Sequence, residues 1–288
     1  MSTSRRLTVY AAALVASLCL GAAVWAAAAS SGRATARAHV TRLHRASARR
    51  SAAPYPSRAA VAAAVEYLDG RAGRTSLAVV DSNGDLSGVR THEHFQSASV
   101  VKVMFLTAFL QRLNADHRGL STLDESLLYP MIHISDNEAA SAVLERVGAG
   151  AVARVAREAG MRDYAPGVGW WAYTQTSAAD QARFFVELPR LIPPQFWAYA
   201  RGLLAGIEPE QSWGIPEVAR PRWQVFFKTG ALPSEGLFNE TARLERPGVT
   251  FTISVFSTDD PSMAYGEETM RGVADALLAG VPSARPHA

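Results

Sequence analysis

The 288-residue sequence predicts an α+β fold: an antiparallel sheet flanked by helices, with an all-helical segment inserted between two groups of strands. Three observations predict it. Strand patterns cluster near residues 75–91 and 223–257, and hairpin-type links within each cluster favour antiparallel pairing. Helical and loop-like patterns fill the stretch between them, about 115–222 in this sequence. A helical stripe precedes the first strand, and another follows the last.

The elements follow in order. Ala60, Val61, Ala64, Val65 and Leu68 form a helical stripe after Ser57, ended by Gly70 and Gly73. Residues 75–80 read as a strand, and Asn83-Gly84 as a hairpin turn into a second strand over 86–91. An apolar helix begins at about Ser99 and runs through Leu110. Helices are then expected over 122–134, bent at Pro130, and over 136–147, 150–159, 177–188 and 194–204. Ser177-x-x-Asp180 has the form of a capping box. Strands return at 223–228, 236–244 and 249–257, the last alternating through Val249, Phe251, Ile253 and Val255. A closing helix covers 263–278.

The ends differ in composition from the middle. Residues 1–58 hold nine Arg and no acid, whereas 59–288 holds 20 basic against 26 acidic residues, a balance of −6. The overall pI near 9.2 therefore reflects the leader, and no basic patch in the folded part argues for nucleic acid. Arg5-Arg6 precedes an uncharged apolar run of 23 residues, 7–29. That layout fits a secretory signal, with Ala-x-Ala cleavage options near its end, or a retained membrane anchor. In either case the remainder is expected outside the cytoplasm, secreted or held on the outer face of the membrane. The single cysteine, Cys19, lies in this run. Residues 30–56, rich in Ser, Ala and Arg, read as a basic linker to a domain over 57–288.

The chain contains two lysines, Lys102 and Lys228, against 27 arginines. Arg cannot give up its proton in a protein, whereas a buried Lys can. Lys102 follows Ser99 by three residues at a predicted helix start, which places both side chains on one face. A serine hydroxyl needs a neighbouring base, and a desolvated Lys can be one. Backbone N–H groups at the helix start would face a developing oxyanion. Ser135-Asp136-Asn137 precedes a helix, where each is a favoured cap. There Ser135 could also pass a proton to a leaving group, and Asn137 hold a substrate amide. Lys228-Thr229-Gly230 is expected to end a strand, offering a cation, a hydroxyl and close backbone approach to a substrate carboxylate. The N–H of Ala231 would be a second oxyanion donor.

These three motifs, in FQSASVVKV, MIHISDNEAA and FFKTGALP, together resemble the penicillin-recognising serine hydrolases, and most nearly class A β-lactamases. The resemblance spans about residues 57–280 in this sequence. It implies a five-stranded antiparallel sheet with helices on both faces, and an acyl-enzyme on Ser99 formed from a β-lactam or a D-Ala-D-Ala peptide. It further implies a monomer without metal or cofactor. The catalytic set is then Ser99, Lys102, Ser135 and Lys228, with Asn137, Thr229, Gly230 and Ala231 binding substrate.

One departure bears on the chemistry. Class A enzymes have a loop glutamate that activates the deacylating water. Here the loop YAPGVGWWAY, 164–173, contains no acid, and Asp163 is the nearest carboxylate. Penicillin-binding D,D-peptidases share the three motifs without that glutamate. Two further features carry less. His92-Glu93-His94 places both His on one face of an expected strand with no third metal ligand evident. His133 lies near Ser135, but no Gly-x-Ser-x-Gly elbow supports a Ser–His–Asp triad.

Overall fold

A computed structural model describes residues 53–279. The expected leader and residues 30–52 of the expected linker lie outside the described residues. The chain divides between Ala53 and Pro54, and the second unit carries every element that follows.

Helix α1 spans Arg58–Asp69. Ser57 caps it by accepting from the Ala60 N–H, and Val61, Ala64 and Leu68 are buried. Strands β1 (Arg74–Val80) and β2 (Leu86–Val89) form the first hairpin. Its connection is longer than a two-residue Asn-Gly turn. Asp81 N–H donates to the Asp85 carbonyl, while the Asp81 carboxylate accepts from the N–H groups of Asn83 and Asp85. A side chain, not the turn type alone, closes this loop.

A short strand β3 (Phe95–Gln96) leads through a 3₁₀ turn, Ala98–Val101, into α2 (Lys102–Ala115). Residues 102–110 of α2 are all buried, so this part of the helix is enclosed on every side and forms the centre of the helical part. Around it pack α3 (Thr122–His133), α4 (Asn137–Val147) and α5 (Ala149–Glu158). Strand β4 (Gln175–Thr176) pairs with β3. Then come α6 (Ala178–Leu191), α7 (Pro194–Ala205) and α8 (Ile215–Ala219), the last not expected from the sequence.

The second group of strands is β5 (Gln224–Leu232), β6 (Leu237–Arg246) and β7 (Val249–Thr258), followed by α9 (Met263–Leu278). The five-stranded sheet runs β2-β1-β7-β6-β5 with every pair antiparallel. The predicted fold class is therefore observed. Helices α1 and α9 pack together against the sheet, tied by Arg71, whose guanidinium lies 3.6 Å from the Tyr265 ring centroid and donates to Thr269 Oγ1. Helix α6 covers strands β1, β6 and β7. Its small residues Ala178, Ala179 and Ala182 allow close approach to Ala78 and Val80, and Thr252 Oγ1 donates to the Ala182 carbonyl.

Two local expectations change. Lys228-Thr229-Gly230 does not end a strand, because β5 continues to Leu232, paired with β6 through Ala231↔Phe238 and Leu232↔Leu237. Ser177 does cap α6, but Asp180 does not complete a capping box. Its carboxylate instead accepts from the N–H groups of Arg162 and Asp163. Asp180 is thus the buried anchor of the 161–177 loop. Replacing Asp180 with Ala leaves two N–H groups unpaired, and is expected to cost about 2 kcal/mol or more and lower Tm by roughly 5 °C, read by thermal denaturation.

Candidate active site

Ser99 lies in the 3₁₀ turn that passes directly into α2 at Lys102. Residues three apart eclipse in a 3₁₀ helix, so the two side chains align more closely than at the α-helical start expected. Ala98, just before Ser99, has φ 45°, a conformation that costs about 1–3 kcal/mol for a residue with a Cβ. The surroundings hold it: Ser97 N–H donates to the Thr174 carbonyl at 2.7 Å, and β5 presses against the turn.

Lys102 is fully buried. Its Nζ donates to the Ser135 carbonyl at 2.5 Å and to Asn137 Oδ1 at 2.8 Å, and lies 3.1 Å from Ser135 Oγ. Burial lowers its pKa to about 7, against an opposing effect of the Asp136 carboxylate. A neutral amine has two N–H bonds and one lone pair. The carbonyl and the amide oxygen take the two N–H bonds, leaving the lone pair to accept the Ser135 hydroxyl proton. Lys102 and Ser135 are thus placed to exchange a proton. Ser135 adopts φ 58°, and Asp136 caps α4 by accepting from the Ala139 N–H, as expected of a cap.

Lys228 is also fully buried and donates to the Thr229 carbonyl at 3.0 Å. Burial, reinforced by Lys102, holds its amine well below the ordinary lysine range, and Glu208 opposes this. Thr229 Oγ1 donates to the Gln211 carbonyl. A Cβ on Gly230 would lie 2.8 Å from Ser99 N, 3.0 Å from the Ser97 carbonyl oxygen and 3.0 Å from Val100 N. Only glycine lets the strand lie this close to the Ser99 backbone. Ala231 follows, half-buried on the same strand. The structure therefore brings Ser135 and Asn137 to the Lys102 amine, places Ser99 one turn before it without a hydrogen bond between the two side chains, and seats the 228–231 segment against the Ser99 turn.

Sequence reasoning missed two members of this neighbourhood. Asn239 pairs with Gly230 across β5–β6, and its Nδ2 donates to the Gln96 carbonyl, bracing β3. Glu240, opposite Thr229, is fully buried and accepts from the Ile215 N–H, and burial pushes its carboxyl well up. Neither belongs to a motif; each is found through strand register.

The acid-free loop holds Trp171 beside Lys102. Its ring centroid lies 5.0 Å from Nζ, its Nε1 donates to Ser141 Oγ at 3.0 Å, and its ring meets Phe105 edge-on. A Cβ on Gly167 would strike the Trp170 carbonyl oxygen at 2.3 Å and Thr174 N at 2.8 Å, so this tight fold of the loop requires glycine. Asp163 does not approach Lys102. Burial opposes its ionisation, but hydrogen bonds from Ser177 and His92 hold its carboxyl below the usual range.

His92-Glu93-His94 forms a turn and loop, not a strand. His92 bonds Asp163, and no group of three metal-ligating side chains is close enough to hold an ion among the described residues. The His133 ring bonds the Gly206 carbonyl and stacks on Tyr129.

The sequence pattern of the Beta-lactamase enzyme family matches residues 121–281. The chain belongs to the β-lactamase enzyme family. The matched span includes Ser135, Asn137 and 228–231 and begins after Ser99 and Lys102, which geometry brings to the same place. Among solved structures, the chain is similar to the β-lactamase of Sphaerobacter thermophilus DSM 20745. Identity is 22% over 76% of this chain and 95% of that one, with a TM-score of 0.67. The class A β-lactamase from Mycobacterium abscessus is 17% identical over 76% and 98% of the two chains, with a TM-score of 0.66. An ancestral class A β-lactamase (GNCA) is 19% identical over 76% and 98%, with a TM-score of 0.67. At these identities the likeness shows the fold. No match is found among curated proteins.

Replacing Gly230 with Ala must displace the Ser99 backbone by about 0.6 Å to restore ordinary contact, and is expected to slow covalent labelling of the Ser99 hydroxyl by an acylating probe about tenfold or more. Intact-mass kinetics checks the rate, and an unchanged melting temperature separates the effect from unfolding.

Proposed function

We propose that this protein is an exported active-site serine hydrolase of the class A β-lactamase type. In this reading Ser99 attacks the carbonyl of a β-lactam and forms an acyl-enzyme, which water then hydrolyses. The observation that carries the reading is the buried Lys102 amine, with a pKa of about 7, aligned with Ser99 and bonded to Ser135 and Asn137. At neutral pH about half of such an amine is unprotonated, and its lone pair can turn from the Ser135 hydroxyl to accept the Ser99 proton. Ser135 delivers a proton to the leaving nitrogen. Lys228, Thr229 and Gly230 position the substrate along the β5 edge, Asn137 holds its amide, and the N–H groups of Ser99 and Ala231 receive the oxyanion. No metal or cofactor enters this scheme. The basic, apolar-leading N-terminal sequence supports export, with the domain secreted or anchored on the outer membrane face as a monomer.

A second reading is favoured by the loop. With Trp171 beside Lys102 and no acid at 164–173, no carboxylate of that loop is there to activate the deacylating water. Release of the acyl group is then the slow step. The protein would behave as a penicillin-binding or sensing protein, or as a D,D-peptidase-like amide or ester hydrolase acting on D-Ala-D-Ala peptides.

Incubation with benzylpenicillin, followed by intact mass and by hydrolysis, decides between these readings. A Ser99-dependent adduct that turns over rapidly supports the β-lactamase. A Ser99-dependent adduct that persists supports the slow reading, and absence of both adduct and hydrolysis counts against both. The acylation rate is expected to rise with pH through about 7 and then level off, as Lys102 loses its proton. Lys102→Arg, which cannot deprotonate, is expected to lower that rate at least about 100-fold across the range, measured under single-turnover conditions.

A further inference from the structure

The start of β5 and the turn between β6 and β7 share one end of the sheet, since Gln224 pairs with Glu245, and Arg246 with Val249. The fold assembles a basic patch there that no run in the sequence announces. Arg201 comes from α7, Arg220 and Arg222 from the link between α8 and β5, and Arg243 and Arg246 from β6. Glu245 pairs with both Arg201 and Arg243, so one positive charge of that trio stays uncancelled. Among the described residues, Arg220, Arg222 and Arg246 form no ion pair. The first two donate to the carbonyls of Ala205 and Val218, and Arg246 lies over the rings of Tyr55 and Trp223. Arg220 and Arg222 are exposed. Asp81 and Asp85 belong to the β1–β2 turn on the far side of Tyr55, where N–H groups of the turn occupy the Asp81 carboxylate. Residues 59–288 carry more acid than base, 26 against 20, so this local excess of Arg runs against the balance of the domain.

An open cavity of about 390 Å³ lies within the patch, between Arg201 and Arg220. Gly202, Ala205 and Gln224 also line it, and no acidic side chain does. Two guanidiniums on the walls of an acid-free hollow match the oxygens of a phosphodiester anion. The chain also enters the domain at this end. Tyr55 stacks on Trp223 with ring centroids 5.3 Å apart, and Arg246 lies 5.2 Å from its ring centroid. The residues just before it, 30–53, include six Arg and no acid, and the apolar run 7–29 precedes those. A membrane that holds the apolar run therefore receives this end of the domain first.

We propose that the Arg201–Arg220–Arg222–Arg246 end of the domain docks on the anionic phospholipid headgroups of the membrane that holds the leader. The proposal rests on the anchored form of the exported placement proposed above, and not on the Ser99 chemistry. The attraction is electrostatic and acts within about a Debye length of the bilayer. Gly230, at the Ser99 turn, lies six residues along β5 from Gln224. At about 3.3 Å per residue that is roughly 20 Å, so docking keeps the active site clear of the headgroups.

The test uses the full chain in vesicles of phosphatidylcholine, with or without phosphatidylglycerol, and reads backbone hydrogen exchange by mass spectrometry. Phosphatidylglycerol is expected to slow exchange of residues 220–224 and 246–248 at least about threefold, with the 135–137 segment unchanged. The slowing should disappear in about 1 M salt, where the Debye length is about 3 Å. Arg220→Glu/Arg222→Glu leaves every arginine before the domain in place. In it the slowing should vanish while exchange of α1 stays as in the parent chain. Should the double variant unfold, Arg222→Glu alone, whose guanidinium reaches only the Val218 carbonyl, is expected to reduce the slowing. No slowing by phosphatidylglycerol, equal slowing in both vesicles, or slowing that survives the charge reversal overturns the proposal. So does equal slowing by soluble polyphosphate added to phosphatidylcholine vesicles, which assigns the patch to a soluble polyanion such as nucleic acid. Recovery of the exported protein without residues 7–29 overturns the anchored placement and this proposal with it, and leaves the hydrolase reading standing. Failure of Ser99 to acylate sinks the hydrolase reading alone, because the vesicle measurement does not pass through Ser99.

Discussion

The burial of one amine organises this molecule. Lys102 stands at the first turn of a helix whose first nine residues are all buried and, apart from Lys102 and Thr107, apolar, and its Nζ has no access to solvent. A buried amine must find acceptors, and both come from the 135–137 segment between α3 and α4. That requirement docks the start of α4 on the start of α2. It also accounts for the left-handed backbone of Ser135, whose carbonyl and hydroxyl both reach Nζ. The same desolvation that makes the amine costly to bury lowers its pKa to about 7, where it is both a donor to Asn137 and a base. Structure and chemistry here rest on one electrostatic fact.

The second constraint is steric. The β5 edge reaches the Ser99 turn only because position 230 has no side chain. Asn239, across the strand pair, holds β3 against the same edge, and Thr174 accepts from Ser97 on the other side. The turn carrying Ser99 is thus clamped between a sheet edge and the end of a loop. That clamp explains how Ala98 keeps an unfavourable φ: relaxing it would break contacts on both sides.

Much of the fold was legible because its signals are local. Ser57, Ser121, Asp136, Ser177 and Ser262 each cap the helix that follows, and the alternation of β7 reports a strand with distinct faces. The errors arose where a residue's partner is distant in the chain. Gly230 read as a strand end because glycine usually is one, whereas its pairing with Asn239 keeps it inside. Asp180 read as half of a capping box, yet its carboxylate is taken by the 162–163 backbone. His92 belongs with Asp163, 71 residues away, and that contact is invisible to spacing.

By itself the sequence determined the fold class, the three motifs and the chemical types they bring: a hydroxyl and an amine at helical spacing, a capped Ser-Asp-Asn turn, and a Lys-Thr-Gly strand. These are decided within a few residues by backbone preference and side-chain period. Tertiary structure alone decided that Lys102 bonds Ser135 and Asn137, that β5 runs past its glycine to lie on the Ser99 turn, and that Trp171 takes the place beside the amine. Each of those depends on burial, strand register and excluded volume, which arise only when segments far apart in the chain share one core.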